Sequence, residues 1–144
     1  MKKQSIGNIM LLLALVFAAA GTVIYCINTH GGYYHDFTPM IVVLAVVSMV
    51  VLIVLKVLSA KLGDRQWLDL FYVLGAVLYS LTAVKFIASR VESAGIILGS
   101  DLEAGNALAS QSLYMAFVGI GCFVIGMILI GVAGFFDLVK KDAD

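Results

Sequence analysis

Two histidines, four carboxylates, an arginine and an asparagine stand outside the long apolar stretches, and their side chains could form a binding site. Imidazole and carboxylate groups are common ligands of divalent cations, and they also hold polar small molecules. Their spacing fits no zinc motif, so solvated loop residues and helix caps are the weightier alternative. We assign no metal and keep the set as a candidate ligand-binding group: His30, His35, Asp36, Arg90, Glu92, Asp101, Glu103 and Asn106.

Other chemistries have less support from the residues. Both histidines fall in one short loop, whereas bis-histidine haem sites in bundles use facing helices. No serine or cysteine nucleophile motif adjoins them, so we predict that the chain is not an enzyme and takes no cofactor. Cys26 and Cys122 lie at depths that differ by roughly 10 Å, against the ~7 Å that a disulfide tolerates, which favours free thiols.

The chain that must position these residues has the composition of a membrane protein. Of its 144 residues 62% are hydrophobic and 12% charged, and its mean hydropathy is +1.09. Soluble domains are roughly 45–50% apolar. Four stretches reach the ~20 residues that a bilayer core requires. We predict an all-α membrane protein, a single four-helix bundle over 1–144, running up-down-up-down with spans at about 6–28, 39–60, 66–90 and 110–136.

The first stretch also resembles a secretory signal peptide. Lys2 and Lys3 precede an apolar run, and Ala18–Ala20 could be a cleavage site. The uncharged run Ile9–Ile27 covers 19 residues, however, and a signal core has only ~7–15. The length favours a retained first span.

Small residues recur at every seventh position in the first and last spans. This spacing keeps them on one side of a helix, where a neighbouring backbone can come close. Glycine is costly inside a helix unless the space is used. We interpret both sets as helix-packing surfaces, here called the small-residue seams, and spans one and four could pack on each other. The seams are Gly7, Ala14 and Gly21, and Ser112, Gly119, Gly126 and Ala133.

The longest connection, 91–109, is predicted to be an outer loop. The pattern Ser100–Glu103 matches a capping box, which indicates a short surface helix before the last span. The run Ile96–Leu98 is too apolar for a solvated loop. We expect it either to insert at the membrane interface or to pack beneath Tyr33, Tyr34 and Phe37.

Lysine and arginine are distributed unequally between the two sides of the predicted bundle. The basic residues of one side outnumber those of the other by seven to two, although nine basic and nine acidic residues balance overall. The positive-inside rule therefore predicts that both termini are cytoplasmic. The seven are Lys2, Lys3, Lys56, Lys61, Arg65, Lys140 and Lys141, and the two are Lys85 and Arg90.

These features predict an accessory or structural subunit of the cell membrane. It would pack through its small-residue seams against itself or a larger membrane protein. We expect it to lie in the lipid bilayer and to bind no nucleic acid. One alternative is an oligomeric channel or carrier for a small solute, in which the outer polar residues would form the entry site. A proton-coupled carrier would require an ionisable residue in the middle of a span, and the predicted spans contain none there. A membrane enzyme or metal-binding protein is the third reading.

The orientation can be tested with reporter fusions. We expect alkaline phosphatase, which is active only outside the cytoplasm, to be active when inserted after His35 and inactive when fused after Asp144. A cytoplasmic fluorescent reporter should give the opposite pattern. Reversal of both signals would overturn the predicted orientation.

Overall fold

Four long α-helices make up the fold in the computed structural model, which describes residues 5–63, 65–103 and 105–138. Each is long and apolar enough to cross a membrane. The predicted all-α class and four-helix bundle are confirmed, and the helices indicate a multi-pass membrane protein. The helices are α1 (Ile6–His30), α2 (Pro39–Leu62), α3 (Gln66–Gly99) and α4 (Ala107–Ala133).

Four basic residues used for the orientation lie outside the described residues, namely Lys2, Lys3, Lys140 and Lys141. The side of the membrane on which each terminus lies therefore stays a prediction.

The helices are arranged in a ring in which α1 contacts α4 and α2, and α3 contacts α2 and α4. Residues at opposite ends of neighbouring helices meet. Gly7 near the start of α1 lies beside Phe136, just after α4, and Gly75 of α3 lies beside Leu52 of α2. These contacts indicate that α1 runs antiparallel to α4 and α2 to α3, and the up-down-up-down course across a membrane stays a prediction.

Short turns set the ends of α2. Pro39 is its first residue, where the missing N–H costs nothing, and Thr38 precedes it in extended conformation. Gly63 ends the helix with a φ of 72°, and its N–H donates to the carbonyl of Ser59. A positive φ is strained for residues with a side chain, so glycine suits this reversal into α3.

The outer connection differs from the prediction. The segment 91–99 is helical and continues α3 to Gly99, where a loop was expected. Ser100 ends this helix, and residues 101–103 form turns, so the predicted capping box does not begin a surface helix. The N-cap of α4 is Asn106, whose side-chain oxygen accepts from two backbone N–H groups. An asparagine cap and a capping box satisfy the same orphan donors, and the sequence offers both within a few residues.

The apolar run in this connection is divided between core and surface. Ile97 is buried in a small outer cluster with Tyr34, Ala109 and Leu113, and Tyr33 packs against the cluster. Its neighbours Ile96 and Leu98 are exposed. Packing beneath the tyrosines therefore applies to one residue of the three, because a helix turns its successive side chains by about 100°.

All seven residues of the small-residue seams are buried. A methyl group at Gly21 of α1 would lie 2.8 Å from a ring carbon of Phe123 in α4. A methyl group at Gly119 would lie 2.9 Å from the ring of Phe86 in α3. At Gly126 it would overlap the Tyr79 hydroxyl. Aromatic rings of this chain therefore occupy the space that these glycines leave.

The contact at Gly126 allows a matched test of packing. We expect Gly126→Leu to lower the free energy of unfolding by about 1–3 kcal/mol, because the added side chain has to displace Tyr79. Gly121→Leu, on the same helix, is the control, since a methyl group at Gly121 would meet nothing within 4 Å. Unfolding of both variants in detergent, followed by circular dichroism, measures the difference. Equal losses in both variants would contradict the packing explanation, because leucine in place of glycine raises helix propensity at both positions and only Gly126 lies against Tyr79.

Candidate functional site

The most connected polar side chain of the described residues is Arg90, in the last third of α3. Its side chain is 2% exposed, whereas that of Asp36 in the loop between α1 and α2 is 47% exposed. Nη1 and Nη2 each donate to a carboxylate oxygen of Asp36, with the Nη2 to Oδ1 distance at 3.1 Å. This fork against a carboxylate is the geometry in which arginine pairs most strongly.

Two further acceptors hold the same guanidinium. Nε donates to Oδ1 of Asn28 on α1 at 3.2 Å, and Nη1 donates to the carbonyl of Ser89 at 3.2 Å. Arginine has five N–H donors, and these contacts use four of them. The fifth donor, on Nη2, has no acceptor among the described residues.

Aromatic rings enclose the guanidinium on its apolar sides. Its central carbon lies 3.9 Å from the ring centroid of Tyr34 and 5.9 Å from that of Phe86. Both distances are within the range of cation–π attraction, which strengthens when the cation is shielded from water. The Tyr34 hydroxyl is buried and has no hydrogen-bond partner among the described residues.

Asn28 extends the site to a third helix. Its Nδ2 donates to the carbonyl of Ser112 in α4 at 2.8 Å. The same side chain accepts from Arg90. One amide therefore connects α1, α3 and α4, and it is 1% exposed. Buried polar groups at membrane depth require partners of this kind.

A second set of contacts fixes the end of the 31–38 loop. The N–H of Thr38 donates to the Tyr25 hydroxyl at 3.0 Å. The Tyr25 ring packs edge-on against Phe86, with centroids 4.9 Å apart. Gly32, with a φ of 89°, lies against Leu108 of α4. The loop is thus held at its start, at Asp36 and at its end.

Two pairs of the predicted site residues come together. Arg90 and Asp36 form the ion pair, and Asn106 donates from Nδ2 to Oε2 of Glu103 at 2.9 Å. Partial burial, followed by the charge of Glu103, raises the pKa of the Tyr33 phenol.

The other four predicted residues are exposed and separate from these pairs: His30, His35, Glu92 and Asp101. The Nδ1 of His30 lies 2.9 Å from the carbonyl oxygen of Cys26, and its ring packs 4.6 Å from that of Phe37. Over the described residues, no three His, Cys, Asp or Glu side chains are grouped so that they could hold a metal ion. Ligand binding by the full set of eight stays a prediction.

Sequence reasoning missed Asn28, Tyr25 and Tyr34 as members of the site. One signal for Asn28 was present, because it follows Gly7, Ala14 and Gly21 at the same seven-residue spacing. A polar residue that continues a packing surface faces the bundle and needs a partner there. The tyrosines carried no comparable signal, since aromatic residues near a span end are also typical of the membrane interface.

Comparison of the chain with protein-family models, with curated proteins and with solved structures finds no match.

The ion pair gives a test of what this site does for the fold. We expect Asp36→Asn to destabilise the protein by about 1–3 kcal/mol. A buried guanidinium that loses its counter-ion costs about 3–5 kcal/mol, and the half-exposure of Asp36 reduces this figure. Glu92→Gln, an exposed carboxylate two residues beyond Arg90, should change stability by less than about 0.5 kcal/mol.

Thermal unfolding in detergent measures both variants. Arg90→Met combined with Asp36→Asn should recover part of the loss, because the double variant no longer buries an unpaired charge. Strictly additive losses in the double variant would contradict the coupling between the two residues.

Proposed function

We propose that the chain is an accessory or structural subunit of a larger membrane complex in the cell membrane. Its four helices would cross the bilayer up-down-up-down, with both termini in the cytoplasm. The proposal includes no catalytic activity and no cofactor. The proposal rests on one observation: the buried residues pack the helices of this chain against one another.

Large side chains fill the interior of the bundle. Leu11, Leu52, Tyr79, Phe86 and Phe123 are 0–1% exposed and come from all four helices. At the outer end, Arg90 spends most of its donors on Asp36, Asn28 and Ser89. Interior groups that are already engaged with one another favour a packing role over the transport of solute through a single copy.

The surface through which a partner would bind differs from the small-residue seams that the sequence pattern indicates. Gly126 and the other seam glycines contact residues of this chain, so they are not available to a second protein. On α4, Gly121 and Gly131 remain open, because a methyl group at either position would meet nothing within 4 Å. Exposed glycine on a membrane helix allows another helix backbone to approach closely. We place the membrane contact of the partner at this outward side of α4.

Purification in mild detergent followed by mass spectrometry tests the accessory role. We expect a distinct protein to co-purify in a fixed ratio with the wild-type chain, because a partner helix would pack at Gly121. Gly121→Leu should reduce that ratio by roughly tenfold, equivalent to ~1.4 kcal/mol of lost contact. The variant should keep the unfolding temperature of the wild type.

A control residue lies on a different helix. Val84 of α3 is 57% exposed, so Val84→Leu alters a lipid-facing side chain away from α4 and should leave the ratio unchanged. A homo-oligomer without a companion would contradict the accessory role. If that homo-oligomer also moves solute across reconstituted vesicles, the channel or carrier alternative takes its place.

A further inference from the structure

The extension of α3 beyond Arg90 has an apolar surface that nothing in this chain covers. Val91, Leu98 and Leu102 are 64%, 75% and 93% exposed, and Gly95 between them is open. Val91, Gly95 and Leu98 are spaced by four and three, which aligns them on one side of α3, and Leu102 follows in the turn after the helix. We call them the outer stripe.

The length of α3 carries the outer stripe out of the hydrocarbon core. The helix has 34 residues, or about 51 Å, whereas the core of a bilayer is about 30 Å thick. If the span starts at Trp67, a length of about 30 Å ends near Ile87. The stripe then lies at and beyond the headgroups, where lipid tails do not cover it. Exposed apolar surface in such a place is typical of a protein contact.

Charge indicates what kind of partner fits. Glu92 and Asp101 follow Val91 and precede Leu102 directly in the sequence, and both are exposed. The ion pair found in the described residues joins Arg90 to Asp36 instead. A second copy would bring the same carboxylates together, and anionic headgroups would also be repelled. A segment with lysine or arginine beside an apolar face complements both features.

We propose that the outer stripe, with Glu92 and Asp101, docks a basic amphipathic helix of the partner protein. The inference rests on the proposed accessory role and specifies a second contact for it outside the membrane. Gly95 allows the docked helix to approach the α3 backbone, Leu98 and Leu102 enter its apolar face, and the carboxylates attract its basic residues.

A designed peptide can stand in for the unidentified partner. The protein is placed in phosphatidylcholine nanodiscs, and a fluorescent helical peptide of leucine and lysine is titrated by anisotropy, with empty nanodiscs as background. We expect Leu98→Ser/Leu102→Ser to weaken binding by about tenfold or more. Glu92→Gln/Asp101→Asn should weaken it by roughly threefold to tenfold and remove its salt dependence.

The matched control removes two carboxylates from the other end of the bundle. Asp69 and Asp137 are exposed there, so Asp69→Asn/Asp137→Asn changes the net charge equally and should bind like the wild type. Unchanged unfolding temperatures for all variants establish that the bundle is intact. Equal affinities for all variants would overturn the proposal, and so would equal binding of a leucine and glutamate peptide.

The result is separable from the test of the proposed function. If a partner co-purifies but the peptide shows no preference for the wild-type stripe, the docking surface is wrong and the accessory role stands. If the peptide binds as expected but no partner co-purifies, the docking surface is supported and the accessory role fails.

Discussion

Helices inside a bilayer gain little from hiding apolar side chains from one another, because lipid tails are as apolar as leucine. What favours their association is close fit, and in this bundle the fit depends on aromatic rings placed against glycine. Phe123 of α4 fills the space at Gly21 of α1, and Tyr79 of α3 fills the space at Gly126 of α4. In the first contact α4 contributes the aromatic ring, and in the second it contributes the glycine. This helix is therefore the one on which α1 and α3 both depend.

Polar contacts at one end of the bundle hold the loop between α1 and α2 in place. A close fit fixes the helices laterally, and these contacts hold the loop against them. Asp36 is held there through Arg90, and Thr38 through Tyr25. Both anchors reach Phe86, which also fills the space at Gly119. The loop thus rests on a ring that belongs to the helix packing, which couples the outer end to the membrane core.

The fold class followed from composition and period because both are local properties of the sequence. Four long apolar runs predict four helices, and the seven-residue spacing of Gly7, Ala14 and Gly21 marks a surface on which these residues are indeed buried. The end of α3 was not predicted, because the long apolar stretch stops near Arg90, although arginine and glutamate are good helix formers. The ion pair was out of reach, since 54 residues separate Arg90 from Asp36. Sequence placed both on one side of the bundle and could not pair them.

The burial of Arg90 also explains why the end of α3 can remain uncovered. A guanidinium buried in the bundle without a counter-ion would cost several kcal/mol. With Asp36 as its counter-ion and Tyr34 over its face, the cation is satisfied before α3 leaves the bundle. Beyond it, only Ile97 returns to a buried position, in the small cluster with Tyr34. The helix is therefore anchored on one side by a neutralised charge and by the apolar contacts of Ile97 and Ala94, and its other side is exposed.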